Sequence, residues 1–312
     1  MQKKEINILY SLVAALIASV MLIASGCGNR AESVDMNIEE LSAYIMEEVE
    51  SPSVSSVGGE WSVIGIMNSS IDNETKKSYA LRYFDSVRAR IKSEKGVLSD
   101  SYYTEYARVV MGVASTGNNP ADVEGYNLIS YLDDYEKVTG QGVNAAAYAL
   151  VASQMSGVTL QNEERYIDFI IGKMESCDGS DAETADYVSM GILALSYYKD
   201  SDDVADIINQ KIDELSQAQQ EDGSMGNCES TCEAIIALSS AGIDIKTDER
   251  FIKDGKSLLN GLFLYKKDRG FAHSEADGNI GEINLMATEK ALLALESIQA
   301  YEDGDCLYKS KR

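Results

Sequence analysis

Apolar residues recur at intervals of three and four along most of this chain, which is the spacing of amphipathic helices. Two kinds of segment carry that spacing in alternation. Segments of the first kind are rich in alanine and apolar on several sides, which predicts six buried helices: Trp61 to Met67, Thr104 to Ala114, and those containing YALVASQM, ILALSYYK, AIIALSSA and ALLALESI. Segments of the second kind have one apolar stripe and a charged back, which predicts six half-exposed helices: Ile38 to Val49, Thr75 to Ser93, Val123 to Glu136, Glu163 to Ser176, Asp203 to Gln219 and Glu249 to Tyr265.

The buried segments repeat along the chain. An Ala-Leu dipeptide recurs every 43 to 57 residues, at Ala149, Ala194, Ala237 and Ala294. A period in or near this range is typical of helical arrays. No alternating strand pattern of five or more residues competes with it. We therefore expect an all-α fold in which six inner and six outer helices form two concentric rings, an α/α toroid over residues 36–300.

Each half-exposed segment after the first passes to the next buried one through a loop rich in Gly and Asp. The five loops are SEKGVLSDSY, VTGQGVN, SCDGSDAE, QQEDGSMGN and KKDRGFAHSEADGNIGE. Because every outer-to-inner crossing of a toroid occurs at one end, these loops are expected to share a single rim with the starts of the inner helices.

Polar and aromatic residues cluster near those helix starts, some of them four apart and hence on one helix face. We expect a ligand site there, formed by Trp61, Tyr103, Glu105, Arg108, Asn144, Tyr148, Asp186 and Asn284. A second interpretation is structural: the Thr and Asn residues would cap helices and the charged residues would be solvated.

Two motifs carry a resemblance to a known superfamily. Gln219-x-x-x-Gly223-x-Met225 resembles the Gln-x-x-x-Gly-x-Trp repeat of squalene and oxidosqualene cyclases, with Met225 in the place of Trp. Asp268-Arg269-Gly270-Phe271, followed by a Thr-x-x-Ala-x-x-Ala-Leu helix, is similar to the repeat that those cyclases share with protein prenyltransferases. The resemblance implies the α/α toroid fold.

A further stretch resembles the helical domain of transcobalamin-like proteins of Gram-positive cell surfaces. It comprises Tyr103 to Arg108, Gly125 to Leu128 and Gln141 to Asn144. That resemblance implies a corrinoid as one candidate ligand. The chain has no counterpart of the β domain with which those proteins close over corrinoids, so a separate β-domain surface protein is a candidate partner. The same fold serves unrelated activities, and the motifs specify the fold better than the function.

The chemistry of the two enzyme families is matched poorly. Prenyltransferases bind zinc through Asp, Cys and His, and here the single histidine, His273, has only Cys228, Cys232 and Asp222 as candidate co-ligands. No position matches the family's ligand motif, so we expect no metal. The cyclase acid motif Asp-x-Asp-Asp occurs at residues 200–203, but it lies where an outer helix begins and is interpreted as a helix cap.

Aromatic composition points away from a hydrocarbon substrate. Cyclases line their cavities with Trp and Phe to stabilise carbocations, whereas this chain has one Trp, five Phe and 18 Tyr. Tyrosine hydroxyls suit a polar, ring-containing ligand. We therefore expect a protein that binds a small molecule or glycan without catalysis, with no catalytic residues and no bound cofactor. The alternative is an enzyme of the same fold, either an isoprenoid cyclase or a carbohydrate-active enzyme.

The first 26 residues have the pattern of an export signal. Lys3 and Lys4 precede an apolar run that ends in Leu22-Ile23-Ala24-Ser25-Gly26-Cys27, which resembles a bacterial lipobox. We expect residues 1–26 to be a lipoprotein signal peptide, Cys27 to be lipidated, residues 27–35 to be a tether and residues 301–312 to be a C-terminal tail. An uncleaved transmembrane anchor is the alternative. Both interpretations place the remaining chain on the extracytoplasmic face of the cell membrane.

Charge and cysteine content restrict the partners further. The chain has 51 acidic and 27 basic residues and a formal net charge of −24. Nucleic acid is therefore excluded as an expected partner, because phosphate binding requires a basic surface. An exported location permits disulfides. The pairing of Cys177, Cys228, Cys232 and Cys306 is open, with Cys177 to Cys228 favoured because the two lie on consecutive loops.

Overall fold

In a computed structural model of the chain, residues 33–180, 182–276 and 279–310 are described, and most of them are helical. The even-numbered helices are α2 (Glu60–Asn68), α4 (Tyr103–Ser115), α6 (Val143–Ser156), α8 (Ala182–Leu195), α10 (Cys228–Ala241) and α12 (Leu285–Glu302). The odd-numbered helices are α1 (Val34–Glu48), α3 (Asn73–Ser93), α5 (Tyr135–Thr139), α7 (Glu163–Glu175), α9 (Asp202–Ala218) and α11 (Leu258–Phe263).

The remaining regular structure of the described residues is short. There are 3₁₀ turns at Ile129–Asp133, Ser196–Tyr198 and Glu249–Phe251. Two antiparallel pairs of two-residue strands lie between α11 and α12: β1 (Lys266–Lys267) with β2 (Gly270–Phe271), and β3 (Glu275–Ala276) with β4 (Asn279–Ile280). The expectation of an all-α protein is thus confirmed.

The two sets of helices differ in burial as the sequence pattern predicts. In α6, eleven of the fourteen residues are buried, most of them Ala or Val, so no side of that helix is free of neighbours. In α9, seven of the 17 residues are buried, on one stripe that includes Ile208, Ile212 and Leu215. Small alanines allow the even-numbered helices to approach one another closely, and the odd-numbered helices cover them.

The packing follows a regular order within residues 34–312, which form one unit. Each even-numbered helix packs on the next one along the chain, and α12 packs both on α10 and on α2. The odd-numbered helices pack on even-numbered neighbours: α1 on α12, α3 on α2, α5 on α6, α7 on α6 and α8, α9 on α8, and α11 on α10. The six buried segments of the sequence are therefore all helices, and each touches two others.

Two of the expected half-exposed helices are wrong in extent. The segment Val123 to Glu136 contains a two-residue turn, a 3₁₀ turn and only the start of α5, and Glu249 to Tyr265 contains a 3₁₀ turn, a second two-residue turn and the short α11. The cause is local. Glu124-Gly125 and Asp254-Gly255 both have positive φ at both positions, the conformation of a tight reversal, which helical periodicity does not show.

The same hydrogen bond joins loop and buried helix at the starts of α10 and α12. The backbone N–H of Met225 donates to Thr231 Oγ1 at 2.9 Å at the start of α10, and that of Phe271 donates to Thr288 Oγ1 at 3.0 Å at the start of α12. Gln219 reaches back from the end of α9, where its Nε2 donates to the carbonyls of Gly223 and Phe251. The Thr side chains thus tie both loops to the following helix, and Gln219 also ties the first loop to the end of α9.

The favoured disulfide does not form. Cys177, Cys228, Cys232 and Cys306 are all free thiols. Cys228 is buried with its Sγ directed at the Ala287 carbonyl, 3.9 Å away, inside the contact between α10 and α12. The Cys177 loop is held on the other side, where the Lys211 ammonium donates to the Cys177 carbonyl at 2.7 Å. Consecutive loops therefore do not bring these two thiols together.

The export signal and Cys27 lie outside the described residues. Among the helices of residues 33–310 that the structure describes, none is long and apolar enough to cross a membrane.

Candidate functional site

One side chain from each even-numbered helix contributes to a single polar and aromatic cluster. Its members, which we call the six-helix cluster, are Trp61, Arg108, Tyr148, Asp186, Glu233 and Lys290. Arg108, Tyr148, Glu233 and Lys290 are each the sixth residue of their helix. At a rise of 1.5 Å per residue they lie roughly 8 Å inside the helix start. A common level on neighbouring helices is what allows them to meet.

Lys290 connects most of the cluster. Its Nζ lies 2.5 Å from Glu233 Oε1 and 4.2 Å from the centroid of the Trp61 ring, and it also bonds the Tyr148 hydroxyl. Burial, the largest single effect, lowers the pKa of Lys290, but Glu233, Tyr148 and Tyr308 together outweigh it and the pKa is raised. The ammonium is therefore charged, and it is balanced by a carboxylate and an aromatic face.

Aromatic rings form the apolar part of the cluster. The Trp61 and Tyr148 rings are tilted, with centroids 5.4 Å apart, and Trp61 is buried while Tyr148 is half-buried. Burial raises the pKa of Tyr148 to about 12, so its hydroxyl stays protonated. Two faces of this kind, with a cation on one side, can hold the apolar face of a ring-shaped ligand.

Arg108 is paired with a carboxylate deeper in the protein. Its Nε lies 3.4 Å from Glu60 Oε2, and the Glu60 side chain is fully buried. Glu60 Oε1 accepts from the Tyr83 hydroxyl at 3.1 Å and from the Ser55 N–H at 3.3 Å. Burial raises the pKa of Glu60 to about 7, although Arg108 opposes the shift. This carboxyl therefore exchanges its proton near neutral pH.

A second buried carboxyl lies next to Lys290 in sequence. Glu289 Oε1 accepts from the Gly58 N–H at 3.0 Å and from the Ser62 hydroxyl, so it joins α12 to α2 and to the loop before α2. Burial raises its pKa to about 7, against the effect of Ser62. Glu60 and Glu289 both accept hydrogen bonds from residues 55–62 and thereby fix that stretch of chain.

The exposed side of the cluster is acidic. Asp186 is exposed, and it accepts a hydrogen bond from Ser230; partial loss of solvent and the nearby Glu233 raise its pKa. Beyond it, Glu229 Oε2 lies 2.7 Å from His273 Nδ1. Asp186 and Glu229 thus place acceptors between the cluster and the loops. Such acceptors suit ligand hydroxyl or ammonium groups.

The structure brings together four of the eight residues expected at the ligand site and leaves four apart. Trp61, Arg108, Tyr148 and Asp186 belong to the six-helix cluster. The other four lie outside that cluster. The buried Tyr103 ring lies under Lys137 Nζ at 5.3 Å, and Glu105 is 3.7 Å from Arg90 of α3. Asn144 is exposed in the first turn of α6, and Asn284 caps α12 by accepting from the Ala287 N–H. For Asn284 the geometry is that of the structural interpretation.

The other chemical candidates have ordinary surroundings. Asp202 and Asp203 of the Asp-x-Asp-Asp motif lie in the first turn of α9, next to the positive end of its dipole. His273 contacts Glu229, and Cys228 and Cys232 are buried side by side. Within residues 33–180, 182–276 and 279–310, no three His, Cys, Asp or Glu side chains converge as metal ligands do.

Sequence reasoning missed two members of the cluster, Glu233 and Lys290, and the carboxyl of Glu60 that pairs with Arg108. Lys290, Glu233 and Glu60 are charged residues in helices that are otherwise apolar on several sides, and that contrast was the available signal. A charged group at such a position must find a partner inside the protein. A spacing of four between polar residues indicated Arg108 and Tyr148. Lys290 has no such polar neighbour to mark it in the sequence.

Comparison with known proteins does not extend this description. Family models scanned against the sequence give no match, and a search of curated proteins finds no similar sequence.

Proposed function

We propose that this chain is an α/α toroid that binds a polar, ring-containing small molecule or glycan at one end, without transforming it. In this proposal the even-numbered helices are the inner ring and the odd-numbered helices the outer ring. The support is the order of packing: each even-numbered helix lies on the next, and the last lies on the first. A row of helices that returns to its start encloses an axis.

The loops at the start of the inner helices support a common rim. Gln141 Oε1 accepts from the Tyr103 N–H at 2.9 Å, which joins the start of α4 to the loop before α6. The Cys228 N–H at the start of α10 donates to the His273 carbonyl, in the loop before α12, at 3.0 Å. Neighbouring loops are therefore hydrogen-bonded to each other's helices, as loops around one mouth would be.

The six-helix cluster is the observation that carries the binding proposal. It combines aromatic faces, the buried Lys290 ammonium balanced by Glu233, and acceptors at the exposed Asp186 and the half-buried Glu229. Charge-balanced cations do not select an anion, whereas acceptors beside aromatic faces suit the hydroxyls and apolar face of a sugar-like ring.

The test is ligand-induced stabilisation with defined probes: cobalamin, a short polyprenyl phosphate and soluble peptidoglycan fragments. A ligand at a hundred times its dissociation constant should add about 2.7 kcal/mol of stability. We expect Tyr148→Phe and Asp186→Asn to weaken binding of any probe that stabilises the protein. Asp168→Asn, an exposed aspartate of α7, is the matched control and should leave binding unchanged. Equal binding by all three variants would place the site elsewhere.

One observation favours an enzyme as the second candidate. The pKa of Glu60 is raised by burial to about 7, which suits a residue that both gives and takes a proton at neutral pH. If a bound probe is converted, Glu60→Gln should abolish its turnover and leave its binding intact. Unchanged turnover in that variant would remove Glu60 as an acid or base.

The cellular setting is part of the proposal. The lipobox-like ending at Cys27 supports lipid anchoring on the extracytoplasmic face of the cell membrane. The resemblance to transcobalamin-like surface proteins supports a corrinoid among the probes and a separate β-domain protein as a partner that closes over the mouth.

A further inference from the structure

The chain does not end at α12 but turns back against the even-numbered helices. After Glu302, Gly304 adopts a left-handed conformation with φ 73° and the Asp305 N–H donates to the Ala300 carbonyl at 2.8 Å. The next residues run inward, and Leu307 and Tyr308 are 4% and 2% exposed. Residues 303–310 are called the C-terminal segment below.

The C-terminal segment crosses the ends of the even-numbered helices opposite to the loops described above. The Tyr197 hydroxyl, just after α8, donates to the Tyr308 carbonyl at 2.7 Å. Gly157, the C-cap of α6, has Ser310 Oγ as its neighbour. Clefts beside the segment are lined by Asn68 at the end of α2 and by Ser239 at the end of α10. The segment therefore spans the C-terminal side of this set of helices.

The Tyr308 side chain is buried within electrostatic reach of the six-helix cluster. Burial raises the pKa of its phenol, and the charges that act on the phenol include Lys290, Glu233 and Glu296. The effect is mutual, because Tyr308 is also among the groups that act on Lys290. Tyr308, carried by a segment at the C-terminal side of the helices, is therefore buried close enough to Lys290 and Tyr148 to interact with both. A phenol is an unusual filler for this place, since Leu or Phe would pack without a polar atom to satisfy.

The hold on the segment is limited. It has no regular secondary structure and is flanked by two open clefts, of about 140 and 420 Å³, that share Asp305 and Cys306 as lining residues. Its anchor points are the buried side chains of Leu307 and Tyr308 and a few hydrogen bonds, and a Cβ at Gly304, where the chain turns, would meet no atom within 4 Å. A terminal segment without a regular backbone hydrogen-bond ladder opens at lower free energy than the helices beside it.

We propose that the C-terminal segment is a removable plug. In its inserted state Tyr308 closes the interior of the even-numbered helices from their C-terminal side and contacts the surroundings of Lys290. In its withdrawn state the two clefts join that interior, and the six-helix cluster becomes reachable from a second end. The inference rests on the proposed function only in naming the same cluster as the ligand site, and it can be tested with no ligand present.

Hydrogen exchange on the unsubstituted protein tests whether the segment withdraws. Amides of residues 305–308 should exchange much faster than those in the middle of α12, at a rate that does not change with small additions of denaturant. Exchange of both stretches at the same rate, with the same dependence on denaturant, would mean that the segment leaves only when the whole protein unfolds, and the plug would be rejected.

The single tryptophan tests whether the segment closes the interior. Trp61 lies beside Lys290, so quenching of its fluorescence by acrylamide reports access to that space. We expect Tyr308→Ala to increase the quenching constant severalfold, and Tyr308→Phe to leave it unchanged because the ring still fills the space. Lys309→Ala, an exposed neighbour in the same segment, is the matched control. Helical circular dichroism identifies any variant that fails to fold.

An unchanged quenching constant in folded Tyr308→Ala would show that Tyr308 closes nothing, which overturns the proposal. An equal increase in Lys309→Ala would show general loosening of the segment rather than loss of a plug, with the same consequence. Neither result bears on the ligand proposal, which is judged by the binding of Tyr148→Phe and Asp186→Asn.

Discussion

A charged lysine inside an alanine-rich helix is the most demanding single residue of this protein. Lys290 is 8% exposed, and its ammonium would be costly without Glu233, whose side chain is 14% exposed. The desolvation of both groups offsets much of their attraction, so such a pair adds little net stability. Removing only one partner is strongly destabilising, because the other charge is then left buried without a counter-charge.

We therefore expect Lys290→Met to lower the free energy of unfolding by about 3 kcal/mol. The double variant with Glu233→Gln should recover part of that loss, because neither charge then remains. Urea denaturation measures both. The exposed pair Lys246 with Glu302 provides the control, and Lys246→Met should change stability little. Similar losses in both single variants would contradict a special role for the buried pair.

Two buried carboxyls should make stability depend on pH. The folded pKa values of Glu60 and Glu289 are about 7, raised by burial from the ordinary 4.5. The folded state thus binds these protons more tightly than the unfolded state does. Stability from this source is complete below pH 4.5, falls as the pH rises to about 7 and is constant above, with a total of about 3 kcal/mol per group at most.

Denaturant titrations at the two ends of that interval should show the loss. In Glu289→Gln the fall should be smaller, because an amide does not titrate, whereas Glu221→Gln on an exposed loop should leave it unchanged. A stability that rises between pH 4.5 and 7 in both the unsubstituted protein and Glu289→Gln would refute the assignment.

At the scale of elements, the junction between loop and buried helix is fixed by close backbone contact. Gly223 has φ 92°, and a Cβ there would lie 2.5 Å from the Ser257 carbonyl oxygen. Gly255 has φ 76°, but a Cβ there would meet nothing within 4 Å. The two glycines share the strain of a positive φ and differ in the space around them.

Gly255→Ala should cost about 1 kcal/mol of stability, which is the conformational penalty alone. Gly223→Ala should cost clearly more, because the neighbouring backbone must also move. Thermal unfolding of the two variants gives the comparison. Equal costs would show that the approach of this loop to α11 contributes nothing.

The alternation of buried and half-exposed helices was predictable because a helix buried on all sides is composed mostly of small and apolar residues. Ala and Val fill α6, and a single stripe marks α9. The segments around α5 and α11 were not predictable from periodicity, since Glu124-Gly125 and Asp254-Gly255 reverse the chain within an apolar pattern. A two-residue turn ends a helix in the structure, but it is too short to disturb the helical spacing of apolar residues in the sequence around it.

The site was predictable in part for a similar reason. Arg108 and Tyr148 stand out through their spacing from polar residues near a helix start, and the structure places them together. Lys290 and Tyr308 do not, because their meeting depends on contacts between α12, α6 and a segment that has no periodicity. Spacing along one helix reports which side chains share a face, and it carries no information about what that face meets.

At the scale of the whole molecule, the first expectation to test is attachment to the membrane. Cys27 lies at the end of an apolar run in a lipobox-like sequence. We expect Cys27→Ala to shift the protein from the membrane fraction to the medium, or to leave an unprocessed precursor. Fractionation and immunoblotting decide this. Cys306→Ala, which changes a thiol far along the chain, should fractionate like the unsubstituted protein, and normal processing of both variants would contradict lipid anchoring.

The contacts of α12 with α1 and α2 have a consequence for how the chain is made. Gln299 Nε2 donates to Asp35 Oδ1 at 3.0 Å, a hydrogen bond between residues 264 positions apart, and the Gly58 N–H bonds Glu289 across 231 positions. During synthesis α1 and α2 therefore lack their contacts with α12 until nearly the whole polypeptide has emerged. Long-range closure of this kind slows folding. Residues near 35 and 299 are adjacent in space, so the fold does not require the chain to begin and end where it does. A circular permutant opened at an exposed loop would retain every one of these contacts.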